Sequence, residues 1–233
     1  MTTLVLDFDS TFVTVESLDE LGRIALRDAP DRAERVAEIE RITKAAMAGQ
    51  MQYSEALGAR LRLFEPKTEQ VMELVQLLHR RLTPSVAAHR AWIEAQADRI
   101  LIVSGGFCEY IVPVVREFGI GADHILANRF APRQGGELAG CDTTLPLAHD
   151  GGKAEAIRTL ELEGTVTMVG DGYTDWQVRE AGVADRFVAF VENVDRPAVR
   201  LRADVVARDF GRVVAEFEAA KLASYSNYSR MWK

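Results

Sequence analysis

The stretch LVLDFDST (Leu4–Thr11) decides the fold and the chemistry expected of this chain. An apolar run of strand length ends in Asp7 and Asp9, and two hydroxyl residues follow. Open α/β sheets bind ligands at the carboxyl ends of their strands, where the chain can turn both carboxylates toward one ligand. Two carboxylates at such a short distance repel each other unless a proton or a cation lies between them. The stretch therefore predicts a hard metal ion, a protonated acid, or both, although Asp and Ser are also common in plain turns.

The composition favours an intracellular protein that does not bind nucleic acid. The chain has 233 residues and a net charge of -7, with 28 Lys and Arg against 35 Asp and Glu. That length allows one large domain or a domain with an insert, and the acidic balance disfavours a nucleic-acid or anionic-membrane surface. Cys108 and Cys141 lack metal-site spacing, which favours a reduced protein. With no leader-like or membrane-spanning segment, we expect a cytoplasmic protein. The sequence does not distinguish a monomer from a homodimer.

Helical patterns fill the chain between the first two predicted strands, which is far too long for a simple crossover. We therefore predict a small helical cap domain at residues 14–81, inserted into a core formed by residues 1–13 and 82–233. Apolar spacing and capping residues predict the helices Glu16–Asp28, a second one capped by Asp31 and ending at Gly49, a third from Ser54 to about Phe64, Lys67–Leu82 and Ser85–Ala97.

From Arg99 onward, strand and helix patterns alternate, which predicts a doubly wound parallel sheet with a Rossmann-like core. The expected strands are Thr2–Asp9, Ile100–Val103, His124–Phe130, Thr165–Val169, Phe187–Phe190 and Asp204–Ala207. The expected helices are Phe107–Phe118, Gly152–Leu162, Thr174–Ala181 and Phe210–Leu222, with a small antiparallel hairpin around Gln134–Glu137.

Three further strand-to-helix junctions carry chemically useful residues: SGGF (Ser104–Phe107), GGK (Gly151–Lys153) and GDGYTD (Gly170–Asp175). Alone, each has an ordinary explanation as a turn, a surface lysine or a helix cap. Together with the first stretch they place four carboxylates around one point, and all-oxygen ligands favour Mg²⁺. A lysine, a hydroxyl and free N–H groups beside them favour a phosphate.

With these motifs, the chain resembles the haloacid dehalogenase superfamily of phosphotransferases, whose four motifs are DxDxT, a strand-end Ser or Thr, Lys, and GDxxxD. Within it, the resemblance is closest to the phosphoserine phosphatases. The features that carry it are Glu16, the segment from Ala46 through Tyr53 to Leu63, and VSGGF at Val103–Phe107. The match covers about residues 2–190.

For catalysis, the resemblance implies that Asp7 attacks phosphorus to form an aspartyl-phosphate, while Asp9 serves as the general acid and base. It also implies Mg²⁺ held by the Asp7 carboxylate, the Asp9 backbone carbonyl and Asp171. Asp175 would orient a bound water.

For the substrate, the resemblance implies that Ser104, the Gly105 N–H and Lys153 clamp the phosphoryl oxygens. Arg60 would bind the substrate carboxylate and Glu16 its ammonium group. The remaining expected substrate contacts are Met47, Tyr53 and Thr174.

The implied activity is magnesium-dependent hydrolysis of L-phosphoserine, a step of serine biosynthesis. Two departures from the family pattern leave alternatives open: Tyr173 and Thr174 stand where Ala and Asn are frequent, and Phe190–Asn193 replaces an Ala-Lys-Pro turn. One alternative is a capped phosphatase or phosphotransferase for another small phosphate, such as phosphothreonine or a sugar phosphate. The other is a regulatory phosphoacceptor module without catalysis, although such a module has no use for Asp9.

Overall fold

A central parallel sheet organises the computed structural model, which describes residues 1–132 and 138–231. The sheet has six strands in the order β3-β2-β1-β6-β7-β8, and a two-stranded antiparallel hairpin is formed by β4 and β5. The strands are β1 (Thr2–Leu6), β2 (Ile100–Phe107), β3 (Ile125–Asn128), β4 (Phe130–Pro132), β5 (Leu138–Cys141), β6 (Thr165–Gly170), β7 (Arg186–Phe190) and β8 (Val205–Ala207).

Helices cover both faces of the sheet, as a buried parallel sheet requires. In β1, Leu4 and Leu6 pack into the hydrophobic cluster on one face, and Val5 packs into the cluster on the other. The predicted doubly wound sheet is confirmed. The helices are α1 (Ser17–Ala25), α2 (Arg32–Met47), α3 (Tyr53–Leu61), α4 (Thr68–His79), α5 (Pro84–Ala88), α6 (Arg90–Ala95), α7 (Cys108–Val115), α8 (Gly152–Arg158), α9 (Tyr173–Glu180), α10 (Pro197–Arg200) and α11 (Phe210–Met231).

Helices α1 to α4 form the segment between β1 and the return to the core. The chain leaves and re-enters the core side by side, because Val13 pairs with Leu82 in an antiparallel bridge. The Thr14 N–H also donates to the Arg81 carbonyl at 2.7 Å. The division into a core and a cap at residues 14–81 remains a prediction, and this pairing supports it.

Several predicted helix ends and caps are wrong. Asp31 occupies the predicted N-cap position of α2, but its side chain makes no cap bond and pairs with Arg35. Ser54 is not a cap: it lies inside the first turn of α3, with its N–H and hydroxyl bound to Asp150. The helix predicted at Ser85–Ala97 divides at His89 into α5 and α6.

Some predicted strand and helix lengths also differ. The strand predicted at His124–Phe130 ends at Asn128, after which the chain pairs with β5 instead of β2. The flanking strands of the predicted hairpin are present, and its central residues 134–137 lie outside the described residues. The last helix continues past Leu222 to Met231. Within the part of the chain that the structure describes, no helix combines the length and apolar character needed to cross a membrane.

Candidate active site

All four strand-end motifs meet at one edge of the sheet. Strand β1 lies between β2 and β6. Asp7 follows β1, Asp171 follows β6, and Ser104 lies in the second half of β2. The Asp7 N–H donates to the Val169 carbonyl at 2.9 Å, which extends the pairing of β1 with β6 up to the site. Because β1 is fully buried at Leu4–Leu6, Asp7 is held on a rigid strand end.

Lys153 lies buried between two carboxylates at the start of α8. Its Nζ is 2.8 Å from Asp7 Oδ1 and 2.6 Å from Asp175 Oδ1. Burial alone would lower the pKa of Lys153, but the charges of Asp175 and Asp7 outweigh burial and raise that pKa above its usual range. Lys153 is therefore a fixed cation of the site, and its interpretation as a surface lysine is wrong.

The carboxylates of Asp7, Asp171 and Asp175 lie close enough to share a cation. Each of them places one oxygen within 4.8 Å of the other two. The oxygens of Asp175 accept from Lys153 and from the Gly172 N–H at 2.9 Å. Burial, followed by the charge of Asp7, raises the pKa of Asp175 above its usual range. Two cationic side chains, Lys153 and Arg196, pair with these three carboxylates, and the remaining excess of negative charge fits a metal site.

Asp171 contacts a hydroxyl through one oxygen and an arginine through the other. Its Oδ1 accepts from the Thr11 hydroxyl at 3.3 Å. Its Oδ2 is buried without a well-formed hydrogen bond and lies against the guanidinium of Arg196. An all-oxygen set of carboxylates is the donor type that hard cations such as Mg²⁺ prefer.

Asp9 lines the same pocket, but its side chain turns away from the other aspartates. Its Oδ1 accepts from the Ser17 N–H at 3.0 Å and from the Ser17 hydroxyl. The two carboxylates of the first motif thus do not converge on one ligand atom, and only Asp7 joins the cluster with Asp171. Burial, followed by the charge of Glu16, raises the pKa of Asp9 well above its usual range.

Ser104 and Gly105, in the second half of β2, line the pocket next to Tyr53 of α3. The Gly106 N–H donates to Ser104 Oγ at 3.0 Å. The Tyr53 hydroxyl donates to the Gly105 carbonyl at 2.8 Å, and Asn128 donates to both groups. A Cβ on Gly105 would lie 2.8 Å from the Tyr53 ring, so only glycine fits at this close approach. Tyr53 therefore joins the helical segment to the core at the site.

The helical segment supplies the opposite wall. Arg60 is 6% exposed and lines the pocket, together with Glu16 and Met47. Glu16 accepts from the Ser10 hydroxyl at 2.7 Å and from Arg196 at 3.4 Å. Charged and polar side chains from the core and from the helical segment converge on this pocket, which suits a small molecule.

The structure also places the two sequence departures. Thr174 lines the pocket, whereas Tyr173 packs against Trp176 and against the helical segment at Gly49. Gly49 has a φ of +73°, and a Cβ there would lie 3.0 Å from the Tyr173 ring. The bulky Tyr173 thus occupies a contact between the core and the helical segment.

Sequence reasoning missed several residues at the site. Arg196 contacts Asp171 and Glu16, and it follows directly on the departure at Phe190–Asn193 that marked this region as unusual. No local pattern distinguishes it from other surface arginines. The other lining residues that the sequence did not single out are Leu18, Thr43, Leu147, His149, Ala154 and Gln177.

Comparison with known proteins places this geometry among characterised relatives. The model of the haloacid dehalogenase-like hydrolase family matches residues 4–180. A phosphoserine phosphatase of Drosophila melanogaster is 33% identical over 214 residues, which cover 90% of this chain and 76% of that protein. A phosphoserine phosphatase of Homo sapiens is 32% identical over 216 residues, which cover 91% of both. The crystal structure of a phosphoserine phosphohydrolase-like protein from Francisella tularensis has a TM-score of 0.82 at 27% identity and covers 92% of this chain and 99% of that one.

Proposed function

This chain belongs to the haloacid dehalogenase-like hydrolase family, and we propose that it is a magnesium-dependent phosphatase that hydrolyses L-phosphoserine through an aspartyl-phosphate. The observation that carries the proposal is one pocket lined by two kinds of groups. Asp7, Ser104 and Lys153 come from the core, and Glu16 and Arg60 come from the helical segment. The first group suits a phosphoryl group, and the second offers an anion and a cation to a zwitterion.

In the first half-reaction, an Asp7 carboxylate oxygen attacks phosphorus, and the bond from phosphorus to the serine oxygen breaks. Asp9, fixed by its two hydrogen bonds from Ser17, gives its proton to the leaving serine oxygen. In the second half-reaction, Asp9 takes a proton from water. The water oxygen then bonds to phosphorus, and the bond from phosphorus to Asp7 breaks. Free phosphate leaves, and Asp7 and Asp9 return to their starting states.

Charge at the phosphoryl group is balanced by fixed donors. Lys153 already lies 2.8 Å from Asp7 Oδ1, where it can stabilise the negative charge that develops on the phosphoryl oxygens during transfer. The Ser104 hydroxyl is buried beside it and adds a further donor.

The carboxylates of Asp7 and Asp171, with the backbone carbonyl of Asp9, would hold Mg²⁺, and Asp175 would orient a water bound to it. When bound, Mg²⁺ neutralises the charge that builds on the phosphoryl oxygens. The buried Asp171 Oδ2 without a well-formed hydrogen bond supports this assignment.

On the wall formed by the helical segment, the Arg60 guanidinium would bind the substrate carboxylate, and Glu16 would bind its ammonium group. Met47, Tyr53 and Thr174 complete the walls around the substrate. Sugar phosphates carry no such pair of charges. Phosphothreonine carries the same pair, so a comparison of its KM with that of phosphoserine measures the space around one extra methyl group. The cytoplasmic location and the place in serine biosynthesis remain predictions from the sequence.

The test is the Arg60→Ala variant, assayed with L-phosphoserine and with nitrophenyl phosphate. Truncation of one partner of a desolvated charge pair costs about 2–5 kcal/mol, so we expect KM for phosphoserine to rise roughly 30-fold to several-thousand-fold. Nitrophenyl phosphate, which lacks the carboxylate, should be turned over as before. Arg62→Ala is the matched control, because Arg62 lies two residues after Arg60, directly after α3, and is exposed. Equal losses on both substrates, or a parent protein that does not prefer phosphoserine to glycerol phosphate, would refute the amino-acid assignment.

A further inference from the structure

Arg60 is held by a polar chain that runs through three helices of the helical segment. Asp19 lies on α1, Thr43 on α2 and Arg60 on α3. All three are buried, with exposed fractions of 6%, 4% and 6%. Thr43 and Arg60 line the pocket, whereas Asp19 lies behind them.

The direction of the hydrogen bonds in this chain is fixed by chemistry. A guanidinium can only donate, so Thr43 Oγ1 accepts from Arg60 at 3.2 Å. The single hydroxyl proton of Thr43 is then free for Asp19 Oδ1, which accepts it at 2.6 Å. The Arg60 Nε–H donates to the Ala56 carbonyl at 3.4 Å. Two of the five donors of Arg60 are thereby used within the described residues, and the plane of the guanidinium is set.

Asp19 also balances the charge of Arg60. The nearest oxygen of Asp19 lies 3.8 Å from Arg60 Nη1. A buried guanidinium without a nearby anion is strongly unfavourable. An arginine held both by a counter-charge and by a directed hydrogen bond keeps one orientation, and a bound carboxylate then loses less freedom when it docks.

We propose that Asp19 is a positioning residue for substrate selection, which acts through Thr43 to fix the Arg60 guanidinium where it would bind the substrate carboxylate. This inference rests on the proposed function, because it needs Arg60 to bind a carboxylate. It goes beyond that function in assigning a role to a residue that does not line the pocket.

The first experiment compares steady-state kinetics of the parent, Asp19→Asn and Thr43→Val with L-phosphoserine and with nitrophenyl phosphate. Asp19→Asn removes the charge at constant volume, and Thr43→Val removes the hydroxyl at nearly constant volume. Loss of a hydrogen bond to a charged group predicts that KM for phosphoserine rises roughly tenfold to a hundredfold in each variant. We expect kcat and the values for nitrophenyl phosphate to change less than twofold. Thr43→Ser, which keeps the hydroxyl, should stay closer to the parent than Thr43→Val.

The matched control is Glu20→Gln, which neutralises the neighbouring carboxylate of α1. Glu20 pairs with Arg23 at 2.6 Å instead of with Arg60. It should leave KM for phosphoserine at the parent value. If Glu20→Gln and Asp19→Asn raise KM equally, the effect belongs to the helix charge and the proposal is wrong.

A second readout is binding measured by calorimetry, which separates positioning from general damage to the fold. Asp19→Asn should weaken the binding of the product L-serine by a factor similar to its effect on KM. It should leave the binding of inorganic phosphate unchanged. If Asp19→Asn weakened the binding of serine and phosphate equally, or lowered kcat/KM equally for both ester substrates, the proposal would be overturned. The proposed function would still stand if the parent preferred phosphoserine. A parent without that preference would overturn both.

Discussion

Asp19→Asn should change the way in which the stability of the protein depends on pH. Burial raises the pKa of Asp19 from 3.8 to about 6, and the hydrogen bond from Thr43 and the charge of Arg60 offset burial only in part. The folded protein therefore holds this proton more tightly than the unfolded chain does, and the carboxyl ionises above pH about 6. Stability from this group is fully present below the unfolded pKa of 3.8 and is lost as the pH rises through about 6.

The size of the effect follows from the shift. A shift of about 2 pKa units corresponds to about 3 kcal/mol of unfolding free energy, of which about 2 kcal/mol is lost between pH ~4.5 and ~7.5. Asp19→Asn removes this titration, because an amide does not ionise. Whatever fixed cost the substitution carries, the stability difference between variant and parent should move by that amount in favour of the variant as the pH rises.

The assay is thermal unfolding of the parent and of Asp19→Asn at several pH values in this range. For a chain of this length, about 2 kcal/mol corresponds to roughly 4–8 °C in Tm. The Tm of the variant should therefore gain roughly that much on the Tm of the parent between the two ends of the range. A difference that stays constant with pH, or that moves toward the parent, would refute the idea that the protein keeps a costly buried carboxylate behind Arg60.

Three further predictions concern the catalytic groups. Asp7→Asn should abolish turnover and leave no labelled phosphoenzyme after a quench with radiolabelled substrate, while its Tm stays near that of the parent; near-normal kcat would end the covalent mechanism. Asp9→Asn should slow phosphoserine hydrolysis more than nitrophenyl phosphate hydrolysis, because serine is the poorer leaving group and needs the proton; equal losses would remove Asp9 as the acid. Asp171→Ala should weaken Mg²⁺ binding in calorimetry and reduce kcat, whereas normal Mg²⁺ affinity in this variant, or full turnover after EDTA treatment, would contradict the metal assignment.

The strand-end chemistry is predictable from the sequence because it depends on local patterns. Apolar runs that end in Asp7, Ser104 and Asp171 each mark the end of a buried strand within a few residues. Parallel strands present their carboxyl ends at one edge, so the strand order is not needed to bring these residues together. This explains why the fold class and the gathering of the motifs could be predicted, whereas the exact ends of Ile100–Phe107 and Phe210–Met231 could not.

The hydrogen-bond partners of side chains are not predictable in the same way, because tertiary structure brings together residues that are distant in sequence. Ser54 has the composition of a helix cap, yet its N–H and hydroxyl bind Asp150, 96 residues away. Asp19 and Thr43 resemble ordinary polar residues of amphipathic helices. Only the packing of α1 against α2 brings the Thr43 hydroxyl to 2.6 Å from the Asp19 carboxylate.

The segment that follows β7 extends this reasoning to the least predictable part of the chain. Asn193 donates to the Ser10 carbonyl at 3.0 Å and to the Thr83 hydroxyl at 2.7 Å. Ser10 belongs to the outgoing chain and Thr83 to the returning chain, so one amide ties both connections of the helical segment to the core. Three residues later, Arg196 contacts Asp171 and Glu16.

This single segment therefore contacts both connections of the helical segment, the pocket residue Glu16 and the cluster residue Asp171. A change in its backbone would move Asn193 and Arg196 together, because only two residues separate them. Phe190–Asn193 is thus more than a surface loop. Through Asn193 it holds the loop that carries Asp9 and Ser10, and Asn193 itself does not line the pocket.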